Sequence, residues 1–371
     1  MKYVNYLCGI LIILGWGYHM SIIIKQEFDP IYETIMLLYQ GYDIEKFKKI
    51  IISQTNDLGG NGEEIYQRHL KVFDKYIRTF QKYRISSDKD EFYFKDTSDD
   101  FYNTFIALFL IDKSLIEGIN HMDNYQIMEV LFRHSNDIFE QELPEYSSKA
   151  YEELMKAENL IAFVNHFDLD EKEKWKMFMI LQNPKDYFST FAKLIQDNIP
   201  VFEKSVELIK SSMEKQMKQF YKTFSDEDKT MRFMEDNNII NCEVQEIIPS
   251  MASALGVVIA HQTCYYGLCF DKVITEFGLK SNGSTEYLMT CLKALSDHSK
   301  FEILTSLKAS PKYATEIAAQ IGLTPATVSH HMGTLLASHL VYVEKENGKY
   351  YYHVDETSVR DVIELLRKTL L

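Results

Sequence analysis

Cysteine is scarce in this 371-residue chain, and its thiols form no recognisable framework. Small disulfide-stabilised domains need a dense, even set of cysteines, and a zinc ribbon needs tight CxxC pairs. The chain has an odd number of cysteines, Cys8, Cys242, Cys264, Cys269 and Cys291, and even Cys264 and Cys269 are too far apart for a CxxC pair. We therefore expect reduced, intracellular thiols whose side chains are buried and structural.

Catalytic sequence motifs are also missing. The chain contains no glycine-rich phosphate loop, no HExxH and no G-x-S-x-G nucleophile turn. Aspartate-rich stretches such as residues 88–100 are typical of solvated loops. These absences argue against an enzyme.

Positive charge is in short supply. Forty Lys and Arg stand against 54 Asp and Glu, which gives a net charge of −14. Residues 284–371 contain nine basic and ten acidic side chains, so the rest of the chain carries a net −13. Neutralisation of phosphates by Lys and Arg supplies much of the affinity of DNA-binding proteins. The composition excludes nucleic-acid binding over the whole surface and limits it to a local basic face of modest affinity.

Full charges are absent between Lys2 and Lys25, where His19 is the one residue that titrates near neutral pH. A stretch of this length is sufficient to span a bilayer. No small-residue cleavage site follows it, which argues against a secretory signal. Two interpretations stay open: residues 1–19 are translated upstream sequence ahead of a working start at Met20, or they anchor the protein in a membrane. We favour the first and expect a cytoplasmic protein.

Residues 20–240 are predicted to form a helical domain. Asp170 begins a capping pattern that ends at Glu173, and Asn183-Pro184 signals a break. The clearest helix is predicted over about residues 200–224, from apolar side chains three or four positions apart: Phe202, Val206, Ile209, Met213, Met217, Phe220 and Phe224. The chain has 24 Tyr and 23 Phe, so a helical domain could enclose an apolar small molecule, with partner binding or dimerisation as alternatives.

Residues 241–283 differ in character and are predicted to form a small β-containing connector. Short β-branched or aromatic runs lie at residues 247–248, 257–259 and 265–268. A Gly- and Ser-containing stretch at residues 278–284 then has the composition of a linker.

Residues 284–371 contain the pattern of a helix-turn-helix. A first helix carries the small residue Ala318 and ends at Gly322, a left-handed helix terminator. Thr324 and Pro325 then cap and open a second helix. Its predicted inner face is apolar at helical spacing: Val328, Met332, Leu335 and Leu336. This arrangement allows two helices to cross tightly, and leaves the polar face of the second helix for the major groove of DNA.

A β-hairpin is predicted directly after this helix pair. Residues 340–345 form one strand, Asn347-Gly348 is the strongest short hairpin signal, and residues 349–354 form the return strand. Helix, glycine turn, capped helix and hairpin in this order predict a winged helix-turn-helix. The alternative is a winged helix that is used only for protein contact.

Candidate DNA contacts follow from this geometry. The outer face of the second helix presents small and polar side chains to base edges, and two lysines flank the wing tip, within reach of phosphate. The candidates are Thr324, Ala326, Thr327, Ser329, His330, Thr334, Lys345 and Lys349. No catalytic residue, cofactor or metal ligand is assigned.

The same region resembles the ArsR-type repressors over about residues 284–371. The resemblance rests on Leu295-Ser296-Asp297 with Ile303-Leu304, on Glu316-Ile317-Ala318, and on the segments 327–332 and 348–352. It implies a homodimer with two winged helices on a palindromic operator, and repression relieved by a signal. The family pattern often has Pro, Arg and Gly at three positions where this chain has His298, Lys300 and His339.

Metal sensing, a property of some members of that family, is not expected here. The cysteine pair that such sensors carry in the first helix of the motif is absent, and residues 358–371 contain neither His nor Cys. His330 and His331 are adjacent, so they point in different directions on a helix. The last helix carries instead an apolar stripe suited to packing or dimerisation: Val359, Val362, Ile363, Leu366 and Leu370.

The expected fold is mainly α, with a helical domain over residues 20–240, a connector over 241–283 and a winged helix over 284–371. The expected function is that of a dimeric transcriptional repressor. An apolar small molecule or a protein acting on the N-terminal domain would modulate its operator binding, with residues 239–277 carrying the coupling. The alternative is a membrane-anchored protein that uses the winged helix for protein contact or tethered regulation.

Overall fold

A computed structural model gives the architecture. It describes residues 22–57, 61–134, 148–165, 167, 169–236, 244–260, 262–272, 285–323, 325–346 and 349–371. This part of the chain is mainly helical with two small sheets, which confirms the predicted fold class. It divides into two compact units.

Along the chain the helices are α1 (Pro30–Tyr42), α2 (Ile44–Asp57), α3 (Gly62–His69), α4 (Lys71–Tyr83), α5 (Asp90–Phe94), α6 (Asp99–Ile111), α7 (Leu115–Gly118), α8 (Asn124–Arg133), α9 (Ser148–Leu154), α10 (Ala157–Asn165), α11 (Glu171–Gln182), α12 (Pro184–Thr223), α13 (Glu227–Asp236), α14 (Thr285–Ser296), α15 (His298–Ala309), α16 (Ala314–Ile321), α17 (Pro325–Ala337) and α18 (Glu356–Leu370), with a 3-10 turn at Ile119–His121. The strands are β1 (Ile23–Ile24), β2 (Glu246–Ser250), β3 (Val257–Ala260), β4 (Thr263–Gly267), β5 (Val341–Glu346) and β6 (Lys349–Val354).

The first unit combines α1 with the described part of residues 80–205 and has an aromatic core. The Tyr102 hydroxyl donates a 2.7 Å hydrogen bond to the carbonyl of Ile35, which joins α6 to α1. At the start of α11, the Asp170 carboxylate accepts a 2.8 Å hydrogen bond from the N–H of Glu173, so the predicted cap is confirmed. Large rings fill the interior: Tyr32, Tyr102, Phe109 and Phe191.

The helix predicted over residues 200–224 begins earlier than expected. α12 starts at Pro184, directly after the Asn183-Pro184 break, and runs for 40 residues with Pro200 inside it. A proline within a helix removes one hydrogen bond and costs about 3 kcal/mol. Ile195 and Phe202, on either side of Pro200, are both buried. Burial of the continuous apolar stripe offsets the lost hydrogen bond, so the proline does not end the helix.

The second unit contains both sheets and is formed by the described parts of residues 22–29, 43–79 and 206–371. The larger sheet has the order β1-β2-β4-β3, with β2 parallel to both β1 and β4 and with β3 antiparallel to β4. The runs at 247–248, 257–259 and 265–267 are strands as predicted. β1 is not anticipated by any pattern in the sequence. Its Ile23 pairs with Glu246, and the Tyr265 hydroxyl of β4 donates a 2.8 Å hydrogen bond to Asp29.

Three of the five cysteines lie in the described part of the second unit. Cys264, Cys269 and Cys291 are buried free thiols, which confirms the structural role predicted for them. Burial raises the pKa of the Cys264 thiol to about 12, so it stays protonated at neutral pH. Cys8, Cys242, the apolar residues 1–19 and the linker 278–284 lie outside the described residues. No helix in the described ranges combines the length and apolarity needed to cross a bilayer.

Candidate nucleic-acid interface

A tight turn at Gly322 joins α16 to α17. Gly322 adopts φ 70° and ψ 29°, a left-handed conformation that glycine reaches without steric cost. The N–H groups of Gly322 and Leu323 both donate to the carbonyl of Ala318, the latter at 3.1 Å. Ala318 is itself buried. The predicted order of small residue, glycine turn and second helix is therefore confirmed.

The inner face of α17 is packed as the spacing predicts. Val328, Met332 and Leu335 are fully buried, and Leu336 is half-buried. Thr327 lies between Ala326 and Val328 and is half-buried. These apolar contacts fix the rotation of α17 about its own axis and so determine which residues it presents outward.

The end of α17 is held by α14. The carbonyl of Ser338 accepts hydrogen bonds from the Tyr287 hydroxyl at 3.4 Å and from the Cys291 thiol at 3.7 Å. His339 follows in a left-handed conformation with φ 55°, and the N–H of Leu340 donates to the carbonyl of Leu335 at 3.0 Å. Two buried side chains of α14 thereby fix the direction in which the chain leaves α17.

The wing is an antiparallel hairpin of β5 and β6, in which Glu346 pairs with Lys349 next to the tip. Tyr352 also forms a bridge with Lys312, its N–H donating to the Lys312 carbonyl at 2.8 Å. This bridge attaches the wing to the connection between α15 and α16. The sequence does not predict this bridge, because a single bridging residue gives no periodic signal.

One charged pair stabilises the start of α15. A carboxylate oxygen of Asp297 accepts a 2.9 Å hydrogen bond from the N–H of Lys300, and the buried Lys300 ammonium lies 3.7 Å from the other oxygen. Burial pushes the pKa of Asp297 up, but the Lys300 N–H and positive charge, together with the charge of His331, outweigh it, so the pKa lies below its usual value.

The structure places the predicted contact residues as follows. Ala326, Ser329 and His330 lie on α17 with Thr327, and Lys345 and Lys349 lie in the paired strands of the wing. The side chains of these residues other than Thr327, and the whole of Thr324, are outside what the structure describes.

Thr334 differs from its predicted place on the outer face. Its side chain is only 6% exposed. The reason lies in the last turn of α17, where Leu335, Ala337 and Ser338 are also buried. Helical periodicity assigned Thr334 to the face of Thr327, but this turn is covered on both faces. Thr334 is therefore not available to a base edge in this arrangement.

Comparison with known proteins places the C-terminal sequence in a family. Residues 297–343 match the family described as "Bacterial regulatory protein, arsR family". The chain is 34% identical over 83 residues to the arsenical resistance operon repressor of Staphylococcus aureus, covering 22% of this chain and 80% of that protein. It is 35% identical over 72 residues to the repressor of the same description from Staphylococcus xylosus, covering 19% and 69%. No solved structure matches the chain.

The family match lies within the winged helix. The family match begins at the cap of α15 and ends within β5, so it contains the whole of α16, the Gly322 turn and α17. Most of the N-terminal region lies outside these matches. The chain belongs, through its C-terminal winged helix, to the arsR family of bacterial regulatory proteins, and is a DNA-binding transcriptional regulator.

Proposed function

We propose that the protein is a dimeric repressor that acts in the cytoplasm, binds a palindromic operator, and is modulated through its N-terminal region. The observation that carries the proposal is the packing of α17. Val328, Met332 and Leu335 anchor one face, and the Gly322 turn sets the angle at which the helix leaves α16. We place the opposite face of the helix, which carries Thr327, toward the major groove.

Within this proposal the predicted contacts have separate roles. Thr327, Ser329 and His330 contact base edges. Thr324 and Ala326, at the start of α17, approach the phosphate backbone of the DNA. Lys345 and Lys349 neutralise phosphates beside the wing. Thr334 is left out, because it is buried.

Dimerisation is assigned to α18 and α14, which pack on each other. Val362 of α18 is buried within the protomer, whereas Ile363 and Leu370 are 58% and 72% exposed. Met289 of α14 is 61% exposed. Exposed apolar side chains on two packed helices have the composition of an interface core, and burying them against a second copy would stabilise a dimer.

Modulation is assigned to a contact within the second unit. The Lys293 ammonium of α14 donates a hydrogen bond to the carbonyl of Asn56 at the end of α2. We propose that this hydrogen bond passes a movement of α2 to α14, which holds both the end of α17 and the proposed dimer surface. For this reason we propose that α2, instead of residues 239–277, couples the N-terminal region to operator binding.

The test of DNA recognition begins with selecting a bound sequence from random duplexes. The double variant Ser329→Ala, His330→Ala should then bind the selected operator more weakly, because each good base contact is worth about 1–3 kcal/mol. Fluorescence anisotropy on labelled duplex measures the change. The matched control is Ser211→Ala, His121→Ala, which alters exposed residues of the same types outside the winged helix. Operator affinity equal to wild type in the folded double variant would refute the assignment.

A further inference from the structure

Arg84 is a buried cation in the first unit. It follows the last residue of α4, and its side chain is only 5% exposed. One terminal nitrogen, Nη1, donates to the carboxylate of Asp90 at 2.6 Å and to the Ser86 hydroxyl at 3.3 Å. The carboxylate thus balances the charge of the guanidinium from one side.

The other edge of the guanidinium consists of Nε and Nη2. Within the described part of the chain, Nε and Nη2 of Arg84 are buried and have no hydrogen-bond partner. Buried guanidinium donors without acceptors are strongly destabilising, because they have lost water and gained nothing in return. Nε–H and one N–H of Nη2 point in nearly parallel directions, and this pair matches the two oxygens of a carboxylate.

An aromatic cluster begins beside the guanidinium. The guanidinium carbon of Arg84 lies 5.3 Å from the ring centroid of Phe94. The Phe94 ring is in turn 5.6 Å from Tyr42, 6.0 Å from Tyr102 and 6.3 Å from Phe191. A ligand bound to Nε and Nη2 would lie close to the Phe94 ring, and contact with that ring would favour a planar, apolar body.

We propose that Arg84 binds the carboxylate of an aromatic carboxylic acid through Nε and Nη2, with the aromatic body of the ligand against Phe94. A carboxylate fits better than a phosphate because Asp90 already supplies one negative charge to the same guanidinium, and a dianion would be repelled more strongly. The proposal names the chemical class of the effector, and to that extent rests on the proposed modulation through the N-terminal region.

We place the entry to the site at a short surface segment that follows Arg84. The backbone N–H and carbonyl of Ile85 are both hydrogen-bonded to the Asn198 amide at 2.9 Å, which fixes the chain beside Arg84. Residues 86–89 continue from there to α5 without helical structure, and Ser86 and Asp88 are exposed. In this proposal residues 86–89 move aside to admit the ligand, while the two Asn198 contacts hold Ile85 in place.

The test uses the full-length protein labelled with ¹⁵N-arginine, whose seven arginines give a simple spectrum of Nε–H groups. The probe is phenylacetate, and its uncharged analogue is phenylacetamide. Phenylacetate should shift the Arg84 Nε–H resonance saturably and raise the Tm, whereas phenylacetamide should do neither. Arg84→Lys keeps a positive charge for Asp90 but lacks the paired donors, so phenylacetate affinity should fall about tenfold or more. Arg133→Lys, an exposed arginine of the same unit, should bind as wild type.

Two results would overturn the proposal: an Arg84 resonance that does not move at the highest soluble phenylacetate concentration, or Arg84→Lys binding as tightly as wild type. If the variant fails to fold, the Arg84 Nε–H resonance of the wild-type protein still tests whether phenylacetate binds there. Saturable binding at Arg84 with unchanged operator affinity would establish the site and refute its regulatory role. Failure of the site and failure of the proposed function are therefore distinguishable.

Discussion

His339 ends α17 in a backbone conformation that favours glycine. With φ 55°, its N–H donates to the carbonyl of Leu336 at 2.9 Å, so the helix end keeps the hydrogen bonds of a left-handed cap. A side chain in this region costs about 1–2 kcal/mol. The ArsR-type pattern often has glycine here, so this chain carries a strain that such sequences avoid.

We expect the free energy of unfolding of His339→Gly to exceed that of His339→Ala by about 1 kcal/mol. Both variants lack the imidazole, but only alanine keeps a Cβ atom, which is unfavourable in the left-handed conformation. Urea denaturation midpoints measure the difference. Asp361, exposed in the middle of α18, is the matched control: there glycine should be less stable than alanine by about 0.5–1 kcal/mol. Equal midpoints for the two His339 variants would contradict the strain.

Asp297 should make stability depend on pH. Its pKa in the folded protein is lowered, because the N–H and charge of Lys300, together with the charge of His331, outweigh the effect of burial. A lowered folded pKa contributes stability above the usual carboxyl pKa, and this contribution is lost as the pH falls through the folded value.

The stability advantage of wild type over Asp297→Asn should therefore be full at neutral pH and vanish in strong acid. Denaturation curves across the acid range test this expectation. In a Lys300→Met background the pH dependence of that advantage should shrink, since the ammonium is gone. An advantage that does not change with pH would show that the carboxylate charge does not contribute.

Among the elements, those with local signals were predictable and those with distant partners were not. The Gly322 turn, the inner face of α17 and the hairpin strands are each encoded within a few residues. β1 depends on pairing between Ile23 and Glu246, and the wing bridge depends on Lys312 meeting Tyr352. Thr334 was misplaced for the same reason, because periodicity gives the face of a helix but not the neighbours that cover it.

The exposed apolar side chains of α18, Ile363 and Leu370, should determine the oligomeric state. Ile363→Glu with Leu370→Glu should convert a dimer to a monomer, because each change places a charge in an apolar interface. Light scattering after size exclusion measures the mass. Thr357→Glu, an exposed polar position on the same helix, should leave the mass unchanged. A double variant that stays dimeric would place the interface elsewhere.

For the molecule as a whole, DNA reading and response to a signal should be separable. α14 to α18 contain the helix pair, the wing and the proposed dimer surface, whereas Asn56 lies outside them. A fragment starting at Ser284 should bind the operator and not respond to a ligand that changes the affinity of the full-length protein. Titrating both proteins on the same duplex tests this division. A fragment that responds like full-length protein would place the sensor in the winged helix.

Lys293→Met in the full-length protein is the finer test of the same coupling. It removes the hydrogen bond to the carbonyl of Asn56 without touching α17. Operator affinity without ligand should stay close to wild type, and the ligand-dependent change should decrease. Lys308→Met, an exposed lysine at the end of α15, is the matched control and should leave the ligand response intact.

The pairing of β1 with β2 has a consequence for synthesis on the ribosome. Asp29 accepts a hydrogen bond from Tyr265, which is synthesised 236 positions later. Glu246, the strand partner of Ile23, is also synthesised long after it. A nascent chain that carries α2 to α4 therefore emerges before the strands that complete its unit exist. Until then Ile23 and Ile24 have no partner strand, and their backbone groups are open to pairing with another chain.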